Sequence, residues 1–130
     1  MLPLPVYTND FLVANSVDGS IGYKKGFGTI AINYIICING NFPSTVAYVA
    51  GPWLGEIKLW SGLNIPHGWV RSEGQLLPIN LNASLFSIIG TTYGGNGTSN
   101  FRLPDLRGGV PVAAGTNNNA QAWVIGEKKD

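Results

Sequence analysis

The sequence predicts a mainly β domain with one short helix and long loops rich in glycine and asparagine. The first observation is composition: Gly accounts for 18 residues and Asn for 13 of the 130, and both types favour turns and weaken helix interiors. The second is an isoleucine-rich run at residues 29–38, which favours a strand. The third is that one other stretch, near residue 85, has the spacing of an amphipathic helix.

The low charge of the chain excludes several classes of partner. Charged residues make up 12% of the sequence and the net charge is +1, whereas an average soluble domain carries about 25% charged residues. Nucleic-acid binding requires a basic face, which the scattered lysines and arginines do not form, so we expect no nucleic-acid partner. The longest apolar run, residues 30–38, is far shorter than the roughly 20 residues of a spanning helix. We therefore expect no membrane insertion.

The chain is expected to divide into an extended amino-terminal arm with its linker, residues 1–28, and a compact domain, residues 29–130. Pro3 and Pro5 exclude a helix at the start, because each proline keeps the residue before it extended. The arm carries apolar side chains that should not stay in water, and they are the predicted subunit interface: Val6, Phe11, Leu12, Val13 and Val17. The alternative is that the arm folds back on its own domain.

Two strands and a turn are predicted at the start of the domain. Residues 29–38 are expected to form a strand that is buried on both faces. Asn39 and Gly40 follow it and are suited to the positive φ angles of a tight hairpin turn. A second strand of alternating character is expected at residues 45–50.

Alternation also predicts a strand at residues 55–60, with Ile57 and Leu59 on one face and Trp60 on the polar face. Trp60 is therefore the candidate surface aromatic. Further short strands are expected at residues 69–71 and 121–125.

The helical stretch has recognisable ends. Asn80 or Asn82 can cap its start, and Gly90 stands where a helix commonly ends. The residues expected to share its apolar face are Leu81, Leu85, Ile88 and Ile89. Beyond the helix we expect a Gly/Asn/Thr loop at residues 91–100 and an extended segment with turns at residues 101–112.

Five sequence blocks occur in a fixed order across the second half of the chain. They are GEIKLW at 55–60, PHGW at 66–69, GQLLPI at 74–79, LFSIIGTTYGGNG at 85–97 and FRLPDLRG at 101–108. Their order and spacing resemble the phage tail collar family. The resemblance covers about half of the chain, as a collar motif block at 55–115. It implies a tail-collar-like β domain in a fibre or tail-associated module that assembles as oligomers outside the cell.

The chain also departs from the family pattern. Gly109 stands where the family usually has Arg, and Ser72 and Glu73 stand where a Cys-Asp pair is common. Residues 31–36 and 42–44 resemble the segment that normally ends those proteins, yet here they precede the collar block. This order resembles a circular permutation, or a register in which the end of one subunit supports the next.

The last block contains a candidate structural motif, which consists of Leu103, Pro104, Asp105, Leu106, Arg107 and Gly108. In an irregular loop, Asp105 is expected to accept backbone N–H bonds and Arg107 to bond carbonyl oxygens. Because a loop without a strand ladder must satisfy its backbone by other means, a structural role is favoured over ligand binding.

The residues that carry chemistry do not form a predicted active site. The only His and the only Cys, His67 and Cys37, are far apart in the sequence, and His67 lacks further donors for a metal. Glu56, Glu73 and Asp105 offer a glycosidase pair only if the fold brings two of them together. We therefore expect no catalytic residue, no cofactor and no metal, and we do not expect an enzyme.

These expectations point to a structural subunit of a self-assembling extracellular or virion fibre or tail appendage. Its partners are expected to be copies of itself, joined by exchange of a β-strand or an arm. The first alternative is a receptor- or glycan-binding, lectin-like tail-fibre module that stacks sugars of cell-surface glycans on its tryptophans: Trp53, Trp60, Trp69 and Trp123. The second alternative is an accessory of a cell-wall hydrolase.

Overall fold

The computed structural model describes residues 28–44 and 50–129. Of the predicted arm and linker, only residue 28 falls within these ranges, so the predicted interface residues Val6, Phe11, Leu12, Val13 and Val17 lie outside the described residues. Of the strand predicted at 45–50, only the last residue is described. The chain divides into two units, Met1–Ala31 and Ile32–Asp130. The fold given below is that of the second unit.

A three-stranded antiparallel sheet organises the domain. β1 spans Asn33–Cys37, β2 spans Ile57–Trp60 and β3 spans Trp69–Arg71, and the strands lie in the order β2-β1-β3. Three consecutive side chains of β1, Ile35, Ile36 and Cys37, are almost wholly excluded from solvent. Because successive side chains of a strand point to opposite faces, β1 is buried on both faces, as predicted. It is shorter than the predicted range of 29–38.

The two faces of β1 enter different apolar clusters. Ile36 packs with the larger cluster, whose other buried members are Leu54, Leu85, Phe101 and Leu103. Ile35 and Cys37 pack with Trp69 in the smaller cluster, against which Trp60 and Ile65 also lie. Burial of a side chain of this size contributes about 1.5–3 kcal/mol. The central strand therefore connects the two halves of the core.

Shorter elements complete the unit. β4 (Leu76–Pro78) pairs antiparallel with β5 (Asn100–Arg102), and a 3-10 turn at Ile79–Leu81 leads from β4 into the helix. Two-residue strands, β6 (Gly115–Thr116) and β7 (Ala122–Trp123), form a small hairpin towards the end of the chain. The described part of the domain is mainly β with one short helix, as predicted. None of the helices in the described ranges has the length and apolar composition needed to cross a bilayer.

The helix, α1, spans Ala83–Ile89 and ends at Gly90, in the predicted place. Asn82 occupies the capping position, but its side-chain amide donates to the carbonyl of Pro78 at 3.0 Å, so it caps no helical N–H. The predicted apolar face is only partly right. Leu85 is buried and Ile89 packs against the larger cluster together with Phe86, whereas Leu81 and Ile88 are exposed.

The hairpin turn predicted at Asn39 and Gly40 is wrong. Neither residue has a positive φ, and β1 pairs with β2 and β3 instead of with the segment that follows the turn. Glycine is required at position 40 because of close packing and not because of its φ angle. A Cβ at this position would lie 2.6 Å from the Cys37 sulfur and 2.8 Å from the carbonyl oxygen of Pro52. The chain bends here because it passes tightly beneath residues 52–54.

A turn and a bulge set the start of β2. The N–H of Glu56 bonds the carbonyl of Trp53 at 2.9 Å, which closes a turn around Gly55 with its φ of +89°. Cys37 accepts a bond from the N–H of Gly55 and donates one to the carbonyl of Glu56, so two residues of this strand oppose one residue of β1. This is the arrangement of a bulge with glycine in the left-handed region.

The loop after α1 is shaped by one asparagine and by a close backbone approach. The side-chain oxygen of Asn96 accepts bonds from the N–H groups of Thr98 and Ser99, both at 2.8 Å, and from that of Asn100 at 3.2 Å. Gly95 has a φ of +97°, and a Cβ at this position would overlap the Cα of Phe101. The loop is thereby pressed against the fully buried Phe101.

We therefore predict that Gly95→Ala is much more destabilising than Gly108→Ala. Both glycines have positive φ, but an added Cβ at Gly108 meets nothing within 4 Å. Gly108→Ala should cost about 1–2 kcal/mol for the left-handed backbone alone. Gly95→Ala should cost about 1–3 kcal/mol more, because the backbone at Phe101 must shift. Chemical denaturation of both variants measures the difference, and equal free energies of unfolding would contradict the close approach.

Candidate functional site

The predicted structural motif forms a strap that lies along residues 72–75. The N–H of Leu103 bonds the carbonyl of Gln75 at 3.0 Å, and the N–H of Gly74 bonds the carbonyl of Pro104 at 3.2 Å. The N–H of Leu106 then bonds the carbonyl of Ser72 at 3.0 Å. These three backbone bonds hold the strap, which belongs to no regular strand apart from an isolated bridge between residues 73 and 105.

Two side chains fasten the strap, and the sequence did not single out either of them for this role. Ser72 is buried, and its hydroxyl donates to the carbonyl of Pro104 at 2.7 Å. The guanidinium of Arg102 donates to the carbonyl of Gly74 at 2.7 Å. The two bonds give the carbonyl groups of Pro104 and Gly74 hydrogen-bond donors in a buried or partly buried part of the fold. The only signal in the sequence was that Ser72 departs from the family's usual Cys.

Asp105 and Arg107 form a local pair at the outer side of the strap. One carboxylate oxygen of Asp105 accepts the backbone N–H of Arg107 at 3.1 Å and its Nε at 2.9 Å, while the other accepts Nη2 at 2.9 Å. Asp105 thus accepts a backbone N–H bond, as predicted. Arg107 bonds the carboxylate of Asp105, whereas the carbonyl bonds predicted for it are made by Ser72 and Arg102.

The electrostatics of this pair favour a charged carboxylate. The Arg107 guanidinium, hydrogen-bonded to the carboxyl group of Asp105, and then the Arg107 backbone N–H hold the pKa of that carboxyl well below its usual range. The same carboxylate raises the pKa of Arg107. Both side chains are accessible to water, with 34% of Asp105 and 63% of Arg107 exposed, so solvent screens the attraction between them.

The rest of the motif separates into a buried and an exposed half. Leu103 is fully buried in the larger cluster and Pro104 is buried beside it. Leu106 is half-buried, and Gly108 is exposed at the end of the strap. The geometry therefore places the anchoring atoms at residues 103 and 104 and the charged pair at the surface.

The candidate chemical residues lie in positions that offer no acid–base pair for hydrolysis. Glu73 lies opposite Asp105 across the isolated bridge, but Asp105 is held ionised by Arg107, which is the reverse of what a general acid requires. Glu56 uses its carboxylate to accept the N–H of Trp53 at 3.0 Å. His67 is exposed in a turn, and no group of three His, Cys, Asp or Glu within the described ranges is placed to hold a metal ion.

The described tryptophans are largely occupied by contacts within the domain. The ammonium group of Lys58 lies 4.4 Å from the ring centroid of Trp69, and that of Lys129 lies 4.2 Å from the ring centroid of Trp123. Trp60 is half-buried against the smaller cluster, and its indole N–H donates to the carbonyl of Asn64 at 3.0 Å. The role of Trp60 as a surface aromatic for glycans stays a prediction.

These features define a small structural β domain in which an irregular strap is fastened by buried carbonyl bonds and closed by an exposed ion pair. Residues 55–111 match the phage tail collar domain. This segment is therefore similar to the phage tail collar domain, as the five sequence blocks indicated. The family is a structural one that is associated with phage tails. The chain matches no curated protein and no solved structure.

The ion pair predicts a dependence of stability on pH. Because the pKa of Asp105 is lowered in the folded protein, the pair contributes stability above the pKa of an unfolded aspartate, about 3.9. That contribution is lost as the pH falls below this value towards the lowered pKa of the folded state. At a pH of about 6 the wild-type protein should therefore have a higher melting temperature than Asp105→Asn. The difference between the two melting temperatures should be smaller at a pH of about 2.

Arg107→Gln is the matched control, because it removes the cause of the lowered pKa and leaves the carboxyl group in place. It should show the same weakened pH dependence as Asp105→Asn. If the melting temperatures of wild type and both variants differ by the same amount at every pH in this range, the pair does not contribute to stability in the manner described.

Proposed function

We propose that the protein is a structural subunit of a self-assembling fibre or tail appendage, located on a virion tail or outside a cell, whose partners are copies of itself. The collar domain supports a structural role in a phage tail assembly. Self-association is supported by a different observation, which is the amount of apolar side chain that the folded domain leaves in water.

The exposed apolar residues carry this proposal. Large hydrophobic side chains are exposed at many places on the second unit, among them Ile32, Phe42, Leu59, Leu63, Leu76, Leu81, Val110, Val112, Val124 and Ile125. Single exposed apolar residues are ordinary in soluble proteins. Here they occur in a chain with only 12% charged residues, so few charges separate them or oppose association. Burial of such side chains between copies would stabilise an assembly.

The segment after the strap shows the same property most clearly. Every residue from Gly108 to Ala122 is exposed, and the hairpin of β6 and β7 within it consists of two-residue strands. A two-stranded hairpin of this size is at best marginally stable when it is isolated in water. Contact with a neighbouring copy would supply the packing that this hairpin does not receive from the larger or the smaller cluster.

No specific observation favours the glycan-binding alternative over assembly. Sugar stacking requires an open aromatic face, and the rings of Trp69 and Trp123 each have a lysine ammonium over them. The cell-wall hydrolase alternative requires a cleft with paired carboxylates. Glu73 and Asp105 lie opposite each other across the isolated bridge, and the carboxylate of Asp105 is paired with the guanidinium of Arg107.

Sedimentation tests self-association directly. At micromolar concentration the wild-type protein should sediment as an oligomer and not as a chain of 13.8 kDa. Because apolar contacts are not weakened by screening, the oligomer should persist at 1 M salt, where the screening length is about 3 Å. A monomer at all micromolar concentrations would contradict self-association. Dissociation by salt alone would contradict an apolar interface.

A further inference from the structure

In the part of the chain that the structure describes, the outer edge of β2 presents main-chain groups that pair with no other strand. In the register of the sheet, Lys58 lies opposite Ile35, and alternate residues of β2 turn their N–H and C=O groups towards β1. The bonds between Cys37 and Glu56 fix which residues these are, so the N–H and C=O groups of Ile57 and Leu59 point away from β1. β2 and β3 are the two edge strands of the sheet, and within the described ranges nothing pairs with the outer edge of β2.

The side chains of the same two residues are also open. Ile57 is 38% exposed and Leu59 is 56% exposed, although they lie on the face of the sheet that carries the buried Ile36. The larger cluster covers this face beneath Ile36 and leaves its margin along β2 uncovered. An added strand would therefore find both hydrogen-bonding groups and apolar surface.

Proteins usually guard an exposed edge with a charged side chain, especially lysine. The only charged residue of β2 is Lys58, and its ammonium group lies over the ring of Trp69 at 4.4 Å, across the opposite face of the sheet. It therefore does not shield the margin formed by Ile57 and Leu59. The edge is left in the state that favours addition of a strand.

We propose that residues 11–17 of a neighbouring copy add to this edge as a further strand of the sheet. This inference rests on the proposed self-assembly. It names the outer edge of β2 as the acceptor and residues 11–17 as the donated segment. The main-chain groups of Ile57 and Leu59 would supply the affinity, and apolar side chains of the donated segment would cover the exposed margin.

The composition of residues 11–17 fits this role. The segment FLVANSV contains no charged residue and lies between Asp10 and Asp18. Phe11, Val13 and Val17 recur on alternate positions, so a strand formed here would turn them to one face. Aromatic and β-branched residues are those that strands favour.

Pairing of β2 with β2 of another copy is the less suitable arrangement. β2 contains four residues, so only Ile57 and Leu59 would contribute outward groups from each side. A symmetric pairing centred on Lys58 would also place two lysines opposite each other, which is destabilising. Residues 18–28 can span up to about 33 Å when fully extended.

Complementation between two full-length variants tests the inference. Leu59→Pro blocks the edge, because proline removes the outward N–H and leaves the bonds of Lys58 to β1 intact. Phe11→Lys combined with Val13→Lys blocks the arm. Each variant alone should sediment as a monomer. An equimolar mixture should give a dimer of two 13.8-kDa chains, in which the intact arm of one variant fills the intact edge of the other.

Matched variants control for effects on folding and charge. Leu59→Lys replaces Leu59→Pro if the proline variant does not fold, and Leu63→Lys places the same charge at a loop leucine that is 89% exposed. Thr8→Lys combined with Asn9→Lys adds two charges to the arm outside residues 11–17. Both control variants should assemble as wild type does.

The outcomes separate this inference from the proposed function. If wild type assembles and the edge-blocked variants assemble equally well, the protein self-associates through another surface and the inference is overturned. A mixture that stays monomeric also overturns it. A wild type that is itself monomeric contradicts self-assembly, and with it the arm as donor.

Discussion

The burial of β1 on both faces is the constraint on which the rest of the domain depends. Ile35, Ile36 and Cys37 can be buried together only if a strand lies along each side of β1 and apolar residues lie above and below it. The larger cluster, with α1 and β5, covers one face, and Trp69 with its neighbours covers the other. Because β1 is central, β2 and β3 are the edge strands, and β3 leads directly into residues 72–75 beneath the strap. In the part of the chain that the structure describes, nothing pairs with the outer edge of β2. The same arrangement that builds the core thus creates the surface to which we assign assembly.

A small sheet of this kind leaves much of the chain outside regular structure. In this domain, specific polar side chains form hydrogen bonds with the backbone groups of those irregular segments. Ser72 and Arg102 bond carbonyl groups of the strap and of the segment beneath it, and Asn96 gathers three N–H groups in the loop against Phe101. These contacts use few charges. The domain therefore reaches a folded state while its surface stays apolar along β2 and beyond the strap. A subunit with this surface suits an assembly in which neighbours provide the missing packing.

The sequence predicted those features that depend on a local pattern. The isoleucine run predicted β1, the helical spacing and Gly90 predicted α1, and the ordered blocks indicated the similarity of residues 55–111 to the phage tail collar domain. Features that depend on distant contacts were not predictable. Asn39 and Gly40 have the composition of a hairpin turn, but the approach of residue 52 decides their conformation. The helix has only seven residues, and the position of Phe101 decides which of them pack inward. Phe86 does so and Ile88 does not, because the ring centroids of Phe86 and Phe101 lie 5.3 Å apart. The hydroxyl of Ser72 has no signature, because its acceptor lies 32 residues away.

Residue-resolved hydrogen exchange of the assembled protein tests the central claim most directly, namely that the open edge of β2 is the place where subunits join. The amide of Lys58 bonds β1 within one subunit, whereas the amides of Ile57 and Leu59 point outward. If a donated strand covers the edge, all three amides should be protected in the assembly, and only that of Lys58 should be protected in a monomeric edge-blocked or arm-blocked variant. Rapid exchange at Ile57 and Leu59 in an intact assembly, beside a protected Lys58, would contradict the account.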